Sequence, residues 1–260
     1  MEKINFIPGL DSWWLVIFVV VAFTTGRYVL LTGIAFLLCY KPGLKQFKKF
    51  KIQPAIPAKK QMRYELFFSF STIGIFSMIG IIVYILYING YTTIYTNIGK
   101  HGWGYFFLSL VIMIILHDTY FYWTHRLLHT RWFFKKIHTV HHRSANPTPL
   151  AAYSFHPFEA FIETLIVFPF VTIWPVHIFA FLFFTFLVLV MNVIGHLGFE
   201  FMSQKFRDST PGKCLTSSTH HNLHHQKSNK NFGYYFTFWD KLMKTSQNEN
   251  IRSSLKKLDC

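Results

Sequence analysis

The stretch HDTYFYWTHRLLHTRWFFKKIHTVHHRSANPTPLAAYSFHP, His117 to Pro157, holds seven of the chain's fourteen histidines and follows directly on the apolar run LSLVIMIIL. On a helix, every fourth residue returns to the same face, so His117, Phe121, His125 and His129 form one row. In HTVHH, His138 has His141 and His142 three and four residues on, again on one face. Much later, THHNLHH sets His221 against His224 and His225, and His220 against His224. The three segments converge if they share one cap at the ends of membrane helices.

Composition supplies the membrane. The 260 residues are 52% hydrophobic and 20% aromatic, with 31 Phe, too apolar for an ordinary soluble domain. A span needs ~20 apolar residues. Ser12 to Leu38 supplies one run, interrupted only by TTGR at Thr24 to Arg27, and Phe67 to Ile88 a second. Trp103 to Leu116 runs on into the histidines, and Phe158 to Ile194 is long enough for two passes around Trp174-Pro175. The expectation is an all-α, polytopic membrane protein of about four to five transmembrane helices with a His-rich helical cap. It reads as one domain over 1–260, with an N-terminal transmembrane region at 12–89 and a histidine core at about 104–245. The first run lacks a basic leader and a cleavage site, so it reads as a retained helix. Arg27 inside it must snorkel or make a polar contact.

The net charge of +15 is topological. Lys and Arg concentrate in KPGLKQFKKFK (Lys41 to Lys51), Lys59, Lys60, Arg63, RWFFKK and the tail after Lys205, whereas Lys3 and Lys100 are nearly alone in the other connections. That is the positive-inside pattern. It places every His-rich segment on the cytoplasmic face of a bacterial inner membrane or endoplasmic reticulum. No nucleic-acid module or basic-aromatic stripe is present, which argues against a nucleic-acid partner. Cys39, Cys214 and Cys260 form no metal or disulfide framework.

Eight histidines in three same-face clusters call for metal rather than for hydrogen-bonded core residues or a pH sensor. One ion uses three or four imidazoles, so eight imply two ions. Imidazole suits Zn, Cu, Fe and Ni alike, and each ring needs its other nitrogen oriented. Asp118, Glu159, Glu200 and Asp240, unusual acids in a chain with eleven, lie near the clusters.

HRLLH, HTVHH and HHNLHH followed by NFGYYFTFWDKL resemble the fatty acid hydroxylase and sterol desaturase superfamily of membrane di-iron oxygenases. PTPLAAYSFHPFEA (Pro147 to Ala160) is similar to the segment after the second histidine box of sterol desaturases, and NVIGHLGFE (Asn192 to Glu200) to a further His-Gly element. The resemblance implies that His125, His129, His138, His141, His142, His221, His224 and His225 ligate two iron ions, with His196 a ninth ligand by its motif. His117, His156 and His220 adjoin the pattern as further candidates. For His156 the competing reading is a chain reversal, because Pro157 suits a first helical turn. Asp118, Glu159, Asn192, Glu200 and Asp240 are candidates for holding the ligand rings. The implied reaction is hydroxylation or desaturation of a lipid by O2, with electrons from a cytochrome b5 or ferredoxin fed by an NAD(P)H reductase. Zinc could misload such a site. The other class considered is a membrane metal protein without oxygenase activity, but a zinc hydrolase would carry HExxH and a transporter broken helices at the midplane. Tyr120, Tyr122, Trp123, Tyr153, Tyr234, Tyr235 and Trp239 are expected as an interfacial belt, with a lipid-tunnel lining the other option.

Overall fold

A computed structural model describes residues 12–40 and 45–247; Lys3, Lys41, Lys256, Lys257 and Cys260 lie outside them. Helices α1 (Trp13–Tyr40) and α2 (Lys59–Ile88) lead to a two-residue strand β1 (Ile94–Tyr95) and then to α3 (Gly102–Leu128). The chain next folds into short pieces: α4 (Arg131–Phe133), one turn of π-helix over Phe134–His138, and α5 (Thr139–His142). Two more, α6 (Pro157–Thr164) and α7 (Val167–Thr172), precede β2 (Val176–His177) and the long α8 (Ile178–Gly195). Helices α9 (Gln204–Asp208), α10 (Ser218–Lys227) and α11 (Phe238–Leu242) complete the order. Among the described residues, α1, α2, α3 and α8 are long and apolar enough to cross a membrane, and the chain is a multi-pass membrane protein.

The run from Phe158 to Ile194 does reverse beside Trp174-Pro175, but its first half is the broken pair α6–α7 rather than one helix. Strand β2 pairs in parallel with β1, and Thr93 donates to the carbonyls of Val171 (2.8 Å) and Trp174 (2.6 Å). The broken pair therefore carries the chain from the histidine cap to the opposite end, and α8 brings it back. His177 caps α8 at that far end, and its Nε2 donates to the Thr96 carbonyl.

Toward the cap, α1 and the first half of α2 bury small and polar residues, whereas α2, α3 and α8 farther on pack an apolar core of Ile79, Val83, Leu110, Met113 and Phe184. In α1 the buried residues are Val16, Thr24, Tyr28 and Thr32, a stripe of helical spacing, while Trp14, Phe18, Phe23 and Leu30 are exposed. Apolar side chains gain nothing by leaving lipid, so small and hydroxyl-bearing residues take the packed face. Thr24 and Thr32 satisfy their hydroxyls on the carbonyls four residues back. Arg27 donates from Nη1 to Thr185 Oγ1 at 3.0 Å, the polar contact that its position demanded.

The same inward polarity positions the cap. Tyr28 from α1 and Ser69 from α2 both donate to the Leu150 carbonyl at 2.8 Å. Buried Glu65 of α2 accepts from Thr148 Oγ1 and Gln61 Nε2. Together they clamp the PTPLAAY segment, the backbone that supports the second histidine box.

Candidate metal centre

Nine imidazoles meet in the cap, in two groups: His125, His129, His138, His142 and His224, and separately His141, His196, His221 and His225. Within each group the donor nitrogens all lie within 4.8 Å of one another. The first draws on the end of α3, the π turn, α5 and α10. The second draws on α5, α10 and the residue that ends α8.

The division runs between sequence neighbours. His141 and His142 serve different groups, as do His224 and His225, because consecutive helix positions point about 100° apart. Pairs four apart stay together: His125 with His129, His138 with His142, His221 with His225. The HxxHH spacing thus reads as one face only in part. Each of these segments lies between the two groups and contributes to both.

The rings are oriented from behind. Nδ1 of His125 donates to the Phe232 carbonyl (3.1 Å), that of His224 to Lys230 (2.6 Å), that of His141 to Ser154 (3.3 Å) and that of His196 to Asn192 (2.7 Å). His138 Nδ1 lies 2.7 Å from Glu159 Oε1. A carbonyl oxygen only accepts, so Nδ1 of those four rings carries the proton and Nε2 presents a lone pair. Those of His141 and His196 meet head-on at 3.3 Å, and the other Nε2 atoms crowd beside them. The Nε2 atoms of His129, His142 and His224 are 3.1–3.2 Å apart, and those of His196, His221 and His225 likewise. Nε2 of His125 and of His138 is buried with no hydrogen-bond partner.

Such an array fits a cation. An equilateral triangle of that side has its centre roughly 1.8 Å from each corner, so an ion just above the plane reaches the ~2.0–2.1 Å of a metal–imidazole bond. Burial keeps the rings neutral, as ligation requires. It pushes His196 and His224 down to about 4 and, aided by neighbouring imidazoles, holds His138, His141, His142, His221 and His225 well below the usual histidine range.

One glycine makes room for the second group and another for the backbone that follows it. A Cβ on Gly195 would stand 3.2 Å from the His221 ring. Gly198 has φ +72°, and a Cβ there would meet the Tyr40 hydroxyl at 2.5 Å. These close approaches explain the glycines of NVIGHLGFE.

The other candidates have different surroundings. His117 is buried among the rings of Phe184, Tyr234 and Tyr235, two turns before His125, and belongs to neither group. His156 caps α6, its Nδ1 accepting from the Phe158 amide at 3.2 Å, which is the chain-reversal role. His220 faces Asp240, with Nε2 to Oδ2 3.6 Å. Of the supporting candidates, Glu159 alone touches a grouped ring by its side chain, and Asn192 does so through its backbone carbonyl. Asp118 accepts from the amides of Tyr235 (2.7 Å) and Phe236 (3.1 Å), and Asp240 from those of Phe232 and Gly233. Glu200 accepts from the Met202 and Thr219 amides, the latter at the start of α10. These three hold backbone, and the backbone holds the rings. The carbonyls of Ser154, Lys230 and Phe232 escaped the sequence reading because any residue has one.

Beside the centre lies a cavity of about 410 Å³ between α1, α2, α3, α6 and α8, in the range of small-molecule pockets. His117, Phe121, Asn192 and Tyr234 line the end nearest the histidines. The expected aromatic belt is thereby corrected. Tyr122, Tyr153, Tyr234 and Tyr235 are buried, with Tyr153 and Tyr234 on the cavity wall, and Trp123 is the exposed one among these five.

Spanning helices that end in a buried nine-histidine cap define a membrane protein of the histidine-box type. A family model described as fatty acid hydroxylase matches residues 110–245, just over half of the chain, and the chain belongs to that family. It is 33% identical over 188 residues to lathosterol oxidase of Rattus norvegicus and 31% identical to that of Homo sapiens, covering 71% of this chain and 60% of each relative. A Delta(7)-sterol 5(6)-desaturase of Gibberella zeae is 28% identical over 215 residues, 82% of this chain and 62% of that protein. The chain thus spans about 60% of the length of the curated relatives it matches. No solved structure matches.

Proposed function

We propose that this chain is a membrane oxygenase of the di-iron type that hydroxylates or desaturates a lipid, sterol-like by its relatives, with the cap facing the cytoplasm. The observation that carries this reading is the pair of histidine groups whose ring nitrogens converge to 3.1–3.3 Å, including His141 and His196, whose carbonyl-bound Nδ1 atoms leave two Nε2 lone pairs face to face. His125, His129, His138, His142 and His224 would hold one ion, and His141, His196, His221 and His225 the other. Two irons, when bound, supply the O2-dependent oxidation of an unactivated C–H bond, which acid–base side chains cannot perform. Hydroxylation consumes O2, two electrons and two protons and releases one water with the alcohol. Desaturation consumes the same and releases two waters with the alkene.

The chain's residues bind, orient and exclude. Glu159 and the four carbonyls fix ring orientation, as second partners of metal-bound histidines do. Helices α1, α2, α3, α6 and α8 enclose an apolar chamber that a lipid can enter from the bilayer, and burial of six of the nine grouped histidines limits water at the centre, with His129, His142 and His221 half-buried. Electrons come from a separate donor such as a cytochrome b5 or ferredoxin with its NAD(P)H reductase. Exposed Lys135, Lys136 and Lys205, with Arg207 beside them, suit an acidic one. Turnover insensitive to ionic strength would remove that role.

The test is elemental analysis of the detergent-purified chain beside a variant with His141, His142, His224 and His225 changed to Ala, two rings from each group. About two irons per chain, absent from the variant, are expected, followed by O2- and reductant-dependent oxidation of a sterol. Zinc that iron cannot replace would defeat the redox reading, and folded protein with no metal would defeat the centre itself.

A further inference from the structure

The cavity beside the histidines has an almost wholly apolar wall whose hydroxyls are satisfied within the protein, while buried Nδ1 of His117 and Nε of Arg27 on the same wall make no hydrogen bond. The hydroxyls of Thr24, Thr164, Thr185 and Tyr234 donate to the carbonyls of Val20, Ala160, Leu182 and Val188. Arg27 donates to Thr185. Glu163 is different. Among the described residues it is the one carboxyl on the wall; its charged and polar neighbours are Glu159, one turn back, and Tyr120 and Tyr234, whose hydroxyls donate to the carbonyls of Ile162 and Val188 and not to it.

Its place in the fold is as telling as its lack of a partner. Glu163 lies one turn along α6 from Glu159, whose Oε1 holds His138 at 2.7 Å, so the two acids line one face at successive depths. The nearer serves the histidine ring, and the farther faces the chamber roughly 6 Å deeper along the helix axis. A carboxyl in an apolar membrane chamber is costly unless something donates to it. Nothing in the protein does.

We infer that Glu163 is a specificity-determining residue that accepts a hydrogen bond from the hydroxyl of a lipid alcohol lodged in the cavity, setting nearby carbons of that lipid toward the histidines. The inference rests on the lipid-substrate reading above. An alcohol both donates and accepts, so it satisfies a carboxyl that burial holds toward its neutral form, whereas a plain hydrocarbon would leave it unpartnered. The position suits a lipid oxidised close to its hydroxyl. Arg27 is no substitute anchor there. Its partner Thr185 stands seven residues before Asn192 on α8, roughly 10 Å farther from the cap.

The experiment is equilibrium binding to the purified, metal-loaded chain in lipid nanodiscs, with two matched probe pairs: cholestanol against cholestane, and octadecanol against octadecane. Metal content is measured on every sample. Wild type is expected to bind the alcohol of at least one pair about threefold to tenfold more tightly than its hydrocarbon, the worth of one hydrogen bond. Glu163→Leu should abolish that preference, with hydrocarbon binding equal to or tighter than wild type and metal content unchanged. Glu163→Gln, whose amide oxygen still accepts, should keep part of it. Equal binding of alcohol and hydrocarbon by wild type would overturn the inference without recourse to any variant, as would a preference undiminished in Glu163→Leu. Loss of metal in wild type with the alcohol preference intact would instead count against the di-iron reading and leave Glu163's role standing.

Discussion

The two histidine groups are made from the same segments and supported differently. The first has five rings, one of them backed by the buried carboxylate of Glu159. The second has four, and the backing given to His141 and His196 comes from the carbonyls of Ser154 and Asn192. Burial raises the Glu159 carboxyl well above its ordinary range, but a cation on the His138 ring would favour the ionised form, which strengthens the basicity of that ring more than a carbonyl does. Two ions held by one cap are therefore expected to differ in affinity and in their sensitivity to substitution.

The largest expected effect is the loss of one group alone. Changing His221 and His225 to Ala leaves the second group two rings and should lower metal content from about two ions per chain to about one. Changing His129 and His142 leaves the first group three rings and should retain more metal than the first variant. Equal losses from both, read by elemental analysis, would show that the groups act as one cluster. Next, Glu159→Ala should weaken the ion of the first group by ~10–100-fold in chelator competition and leave the other unmoved. A drop in both affinities would mean that Glu159 supports the whole cap rather than one ring.

Smaller effects separate scaffold from ligand. Asp118→Ala frees the amides of Tyr235 and Phe236 and should cost about 1–3 kcal/mol of stability, seen as a lower Tm in detergent. Smallest is His156→Ala, which removes a helix cap worth about 1 kcal/mol. Full metal content in that variant marks His156 as a capping residue, and depleted metal would return it to the ligand set.

Helical spans, the histidine cap and its three boxes were legible in the sequence because apolar runs of span length and histidines four apart leave a one-dimensional trace. His196 was legible only through its resemblance motif, since one histidine at the end of an apolar helix has no periodic partner. Glu65 and Glu163 went unremarked, although each is an acid inside or beside an apolar run. The acids that were noticed proved to have two trades. Glu159 holds a ring, whereas Asp118, Glu200 and Asp240 hold amides, and nothing in their spacing distinguishes the two.

The sequence by itself determined that this is a helical membrane protein with imidazoles gathered at helix ends, because hydrophobic length and the 3.6-residue period are properties of the chain alone. Only the tertiary structure decided which histidines share a centre. His141 and His142 part company, as do His224 and His225, because each segment lies between two sites and successive residues point about 100° apart. It also decided that one carboxyl, on the wall of an apolar chamber, would be left without a partner. Both outcomes depend on what packs against a helix from elsewhere in the chain, and no local pattern records that.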